Sequence, residues 1–205
     1  MGGGQLRHEL NSAMSRGQLL TKAVVGAGAA GAAGVLATIA ADSASSAPSP
    51  GQDIRILNFL LLLEYLQQDL YSEALAAGNL SGELLRFARV AGGHEREHVA
   101  ALRRELGGQA RGKPAFRFGD ALQREGRFAA AAVTLEETAV EAYIGQVANL
   151  TPKRREAVAP IISVEARHAA WIRDFVGRLP APYAADRSKT AEAAMATIER
   201  TGFVS

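Results

Sequence analysis

The run His94-Glu95-Arg96-Glu97-His98 puts metal-binding side chains at helical spacing. Two chemistries fit it. Read as H-E-x-x-H, His94 and His98 share one zinc, with Glu95 as the general base of a peptidase. Read as Glu95-x-x-His98, a carboxylate and an imidazole three residues apart share one helix face and supply part of a two-metal centre between helices. The chain has no cysteine. Disulfides, iron–sulfur clusters and thiolate zinc sites are therefore excluded, and any metal must be held by histidine and carboxylate.

The rest of the chain decides between them. Glu165-x-x-His168, in "SVEARHAAWI", repeats the Glu95–His98 spacing. Ile161, Ile172 and Phe175 fall on its stripe, as Phe87, Ala91 and Leu102 fall on that of Glu95 and His98, so both pairs are expected to face inward. Two further glutamates interrupt apolar faces: Glu64 among Leu57, Leu60 and Tyr71, and Glu136 among Ala132, Ala139 and Tyr143. Each follows a leucine and precedes a tyrosine by seven residues. Glu136 follows Glu64 by 72 residues, and Glu165 and His168 follow Glu95 and His98 by 70, the mark of a degenerate internal repeat.

Height along the helices gives an independent check. Glu64 and Glu95 are equidistant from the turn at 79–80, and Glu136 and Glu165 from the junction at 150–151, so in antiparallel hairpins all four fall in one layer. Glu141 sits about 7.5 Å below Glu136, which leaves it behind the ligands or at the surface; Glu137 is turned about 100° off the stripe. The candidate metal ligands are Glu64, Glu95, His98, Glu136, Glu165 and His168. The peptidase reading lacks a third zinc ligand and leaves the other glutamates unexplained. His94 is either a residue behind the ligands, holding one or gating access, or a surface histidine. Tyr71 and Tyr143 either adjoin the metals or fill core space; Trp171 is expected to pack, and Glu73, Arg96 and Glu97 to be solvated.

Four carboxylates in an apolar layer repel one another and cost several kcal/mol each in desolvation unless cations compensate them. Two divalent ions balance four glutamates. Oxygen and imidazole donors favour iron or manganese over thiophilic metals.

These side chains require four helices. The 205 residues are 48% hydrophobic and only 6% aromatic, a composition that suits one helical domain plus an appendage. Net charge is +2 with the signs interspersed, and no basic, aromatic-interleaved face points to nucleic acid. Helical periodicity covers 53–78, with Asp53 and Gly78 as caps, then 81–108 from Ser81 to a double glycine, and about 127–150. A fourth helix starts with Thr151 as N-cap and Pro152 in the first turn and ends before Pro180; Pro160 is expected to kink it or to mark an earlier break. A short fifth helix, 188–200, is expected to cover the end of the bundle. The first two helices are joined by a short loop, as are the third and fourth, so each pair forms an antiparallel hairpin. The middle connection has about twenty residues and reaches about 66 Å, enough to cross a bundle about 37 Å long. The fold expected is all-α: a four-helix bundle over 48–187, one long crossover between helices two and three, and a short helix and tail over 188–205.

Residues 1–47 read as an export leader and linker. Arg7, Arg16 and Lys22 precede an uncharged stretch, 23–41, and a Ser/Pro-rich tract. "SRGQLLTK" is similar to a twin-arginine leader, with Gly17 in place of the second arginine. The expected location is outside the cytoplasm, in the periplasm, envelope or medium. An uncleaved anchor is the alternative, since 19 residues can just span a bilayer, although glycine and alanine make this stretch weakly apolar.

Four motifs, "LNFLLLLEYLQQDLY", "EREHVAAL", "LEETAVEAYIG" and "VEARHAA", stand in this order across 53–180. Together the chain resembles the ferritin-like superfamily of di-iron and di-manganese carboxylate proteins, in particular exported bacterial ferritin-like-domain proteins. The resemblance implies one long crossover, and it implies that the six candidate residues bind two metal ions directly. Gln68 departs from it, standing where acidic residues are common. Three functions follow: redox chemistry of the metals with O2 or peroxide as oxidase, peroxidase or ferroxidase; iron oxidation and handling; or an envelope structural or stress-protective role with the metal serving stability alone. The partners expected are metal ions and a small oxidant, with a membrane only if the leader is retained.

Overall fold

The computed structural model describes residues 48–204; the leader reading, 1–47, lies outside them. Among the described residues there are five α-helices: α1 (Pro50–Ala77), α2 (Gly82–Leu106), α3 (Glu125–Val147), α4 (Pro152–Phe175) and α5 (Ala191–Thr201). Among the described residues the only β-pairing is an isolated bridge between Phe116 and Val204. None of the described helices is long and apolar enough to cross a membrane.

α1 begins earlier than the sequence suggests. Its N-cap is Ser49, whose side chain accepts from the Gln52 amide at 3.3 Å, with proline in the first turn. Asp53 is instead buried inside the helix and serves α4: the Thr151 amide donates to Oδ1 at 2.9 Å and the Thr151 hydroxyl to Oδ2 at 2.5 Å. A carboxylate at that helix start satisfies an orphan N–H and complements the helix dipole. Thr151 is the N-cap residue, yet its side chain makes no capping bond within α4. α4 runs unbroken through Pro160, so the proline does not end it early. The proline is on the exposed side, so the carbonyl it leaves unpaired can reach water.

α1 packs on α2 and α3, and α4 packs on the same two helices. α1 is buried on nearly every side, from Ile56 through Leu70, because helices cover two flanks and the crossover a third. The crossover is fastened along α1 in order. Asn58 Nδ2 donates to the Gln109 carbonyl at 3.0 Å and its Oδ1 accepts from the Arg111 amide at 2.8 Å. Lys113 pairs with Asp69 at 2.6 Å, and Asn79 Nδ2 donates to the Leu122 carbonyl at 3.0 Å. The connection therefore follows α1 from near its start to just past its end and delivers α3 to the far end of the bundle. All neighbouring helices are antiparallel.

α5 does not close the end of the bundle. It lies along α3, burying Ala191, Ala194, Met195 and Ile198. The strap before it touches α3 at Gly145, where a Cβ would collide with the Lys189 carbonyl oxygen. Beyond α5, Phe203 meets Phe118 edge to face at 5.2 Å, and the Arg117 amide donates to the Phe203 carbonyl at 2.9 Å. The C-terminal tail thus pins the crossover.

Candidate metal centre

Each of α1 to α4 brings one glutamate to the middle of the bundle, and all four are 0% exposed: Glu64, Glu95, Glu136 and Glu165. His98 and His168, one turn along from Glu95 and Glu165, are buried with them. His98 Nδ1 lies 2.9 Å from Glu165, 3.0 Å from Glu95 and 3.2 Å from Glu64. His168 Nδ1 lies 3.1 Å from Glu95 and 3.6 Å from Glu136. Two overlapping sets result, each with ligand atoms within 4.8 Å of one another: Glu64, Glu95, His98 and Glu165; and Glu95, Glu136, Glu165 and His168. Glu95 and Glu165 belong to both.

The apolar stripes hold the pairs inward, with one exception. Phe175, the last residue of α4, is 41% exposed. The repeated Leu-Glu…Tyr pattern produces a crossed contact. Tyr71 of α1 donates to Glu136 of α3, and Tyr143 of α3 donates to Glu64 of α1 at 2.5 Å. Such crossing is what antiparallel helices with equal Glu–Tyr spacing must give. Tyr71 is set against α2 by Gly92, where a Cβ would come within 2.8 Å of the tyrosine Cβ.

His94 stands outside both ligand sets. It is exposed, its Nδ1 is 2.8 Å from His168 Nε2, and the two rings are nearly parallel. His94 and His98 therefore do not share a metal site, and Glu95 points into the cluster among other carboxylates; the H-E-x-x-H pattern is a coincidence of sequence. Glu137 pairs with Arg173 at 2.8 Å and Glu141 with Lys189 at 2.6 Å. Trp171 packs edge-on against Phe87 and donates to Glu83 at 2.8 Å. Arg96 and Glu97 are exposed.

One participant escaped the sequence reading. Gln67 is buried, and its Nε2 donates to Glu165 Oε2 at 3.4 Å. Its position three residues after Glu64 was the available signal, but "QQD" offers no apolar contrast that would mark which face it takes. Gln68 beside it is only half-buried.

Burial is the largest cause pushing Glu64 up to about 8; the His98 hydrogen bond opposes it and the Glu95 charge adds to it. Burial, then the Glu64 charge, pushes Glu165 up to about 8, and burial with the Glu165 charge raises Glu95. Burial pulls the histidines down, but carboxylates outweigh it. Hydrogen bonds to Glu165, Glu64 and Glu95 raise His98 to about 12, and the Glu136 charge with bonds to Glu136 and Glu95 raises His168 to about 11. Burial and the adjacent carboxylates push both tyrosines well above their ordinary range, so they remain neutral donors. Without metal, protons are the cations that hold this layer together.

The donors suit a hard cation. Glu95 Oε1, Glu136 Oε2, Glu165 Oε1 and His168 Nδ1 are buried and form no well-aligned hydrogen bond, although a histidine Nδ1 lies 2.9 Å from Glu165 Oε1 and 3.1 Å from Glu95 Oε1. Unpaired buried polar atoms demand an explanation, and four converging from three helices on one layer have one in metal ligation. Fold and site together define a four-helix bundle with a buried Glu/His cluster that could hold metal. The model of the ferritin-like domain matches residues 52–178, and the chain belongs to that family. No curated protein matches the chain.

Proposed function

We propose that the cluster binds two divalent cations, iron or manganese, and that the loaded centre reacts with O2 or a peroxide. The observation that carries this reading is the pair of four-residue sets sharing Glu95 and Glu165. In it, Glu64 and His98 would hold one ion and Glu136 and His168 the other, with Glu95 and Glu165 available to both. Two divalent ions balance four carboxylates, which removes the repulsion that otherwise forces protons into the layer. Iron or manganese in an oxygen and imidazole donor set supplies the electrons for the oxidant.

The chain's own residues then have defined tasks. The leucine-rich walls exclude bulk water, which strengthens every charge interaction inside. Tyr71 and Tyr143 hold the outer carboxylates from opposite sides through neutral hydroxyls. His94 fixes the outward nitrogen of His168, the role of a group behind a metal ligand. The basic start and small-residue stretch of the leader support an exported protein acting in the cell envelope.

The test is anaerobic loading of the full chain with Fe(II), followed by O2 or hydrogen peroxide while metal oxidation is recorded. Oxidation of the bound iron, abolished in Glu95→Ala, is expected. A loaded centre inert to both oxidants, whose removal melts the protein, would instead support a purely structural metal. Iron uptake far beyond two ions per chain would favour iron handling.

A further inference from the structure

The two halves of the site are related by the internal repeat, yet they differ at a buried position three residues after the α1 and α3 glutamates. Glu64, Glu95 and His98 have Glu136, Glu165 and His168 as counterparts, and Tyr71 has Tyr143. Gln67, three residues after Glu64, has Ala139, three residues after Glu136. Both are buried. Beside the glutamates, only the first half therefore carries a carboxamide.

The contacts of the shared glutamates differ accordingly. Glu95 spans the site, with Oε2 at 3.0 Å from His98 Nδ1 and Oε1 at 3.1 Å from His168 Nδ1. Glu165 does not. Its Oε1 lies 2.9 Å from His98 Nδ1, and its Oε2 accepts from Gln67 Nε2 at 3.4 Å. The amide belongs to α1, the helix that also brings Glu64. The carboxylate is thus drawn toward the Glu64–His98 side, and Glu95 has no matching tether because Ala139 cannot donate.

Gln67 is not there for packing. Its Oε1 is buried with no hydrogen-bond partner, and an apolar side chain of the same length would fill the space without that cost. What the amide adds is the hold on Glu165.

We infer that Gln67 is a positioning residue that makes the two metal positions unequal, so that the Glu64–His98 position is preorganised and fills first. The inference rests on the two-metal reading. Both sets have their donors within 4.8 Å of one another, but Glu165 is held by the Gln67 amide and the His98 ring on the Glu64 side alone, so its carboxylate favours the first position over the Glu136–His168 position. Ligands already held in the bound arrangement bind more tightly.

The experiment is titration of the metal-free full chain with Mn(II), reading stoichiometry and the first dissociation constant by calorimetry. His98→Ala and His168→Ala are made in the wild-type and in the Gln67→Met background. Gln67→Met keeps the side-chain length and removes the amide. In the wild-type background, His98→Ala should weaken the first step at least about tenfold more than His168→Ala. In the Gln67→Met background that difference should vanish. Ala139→Gln, which gives Glu95 the same tether from α3, should narrow it without removing any ligand. Far-UV circular dichroism confirms that each metal-free variant keeps its helices. Two bound ions with equal effects of the two histidine substitutions, or a difference that survives Gln67→Met, would overturn the inference and leave the two-metal centre standing. Fewer than two ions on the wild-type chain would overturn both.

Discussion

A buried glutamate is a problem that four helices here share, and its consequences begin with protons. Glu64 and Glu165 rise from 4.5 to about 8, and His98 and His168 from 6.5 to about 12 and about 11. The folded, metal-free chain therefore holds more protons than the unfolded chain from about pH 5 upward. Where the native state binds the excess, stability falls as pH rises. The melting temperature of the metal-free protein should accordingly drop steadily from pH 5 to pH 9, and a rise over that range would refute the proton-held layer. Metal must displace these same protons, so Mn(II) affinity should climb over the same interval, measured by competition with a chelator of known affinity. Tyr143 supplies a second test. Its hydroxyl is a buried donor to Glu64, and Tyr143→Phe should cost the metal-free protein about 1–3 kcal/mol in urea unfolding. These ligands were legible because a glutamate among leucines breaks an apolar face. Gln67 was not, because a polar residue in a polar triplet breaks nothing.

At the scale of the helix, the site depends on how closely neighbours approach. Gly92 lets α2 lie against Tyr71 of α1, with no room for a methyl group. Gly92→Ala should destabilise the chain by about 1–3 kcal/mol through overpacking, and it should also weaken metal binding by displacing the Tyr71 hydroxyl from Glu136. Loss of stability with unchanged metal affinity would separate the helix contact from the site. Periodicity located all five helices, but their ends depended on tertiary contacts. Ser49 and Asp53 are both good capping residues, and the sequence does not say which is used. The structure spends Asp53 on α4, binding the two hairpins at one end. Asp53→Asn keeps the shape but loses the charge at the α4 N-terminus, so a modest loss, roughly 1 kcal/mol, is expected in thermal unfolding.

For the whole molecule, a repeated hairpin and one crossover explain why the ligands meet. Each hairpin lifts one Glu and one Glu-x-x-His pair to mid-height. The crossover, fastened to α1 from Asn58 to Asn79, inverts the second hairpin so that its set faces the first. Loop lengths made that topology legible before any coordinates. The placement of α5 was not legible, since its amphipathic face says that it packs and not where; the close approach at Gly145 and the Phe118–Phe203 contact decide it. The meeting of two such sets at mid-bundle underlies the proposal of two ions per chain. The most direct measurement is metal content per chain after loading the full protein with Fe(II) or Mn(II), beside Glu95→Ala and Glu165→Ala. Two ions per chain in the wild type, with fewer in both variants, is the predicted result. A single ion, or none, in the wild type would contradict it.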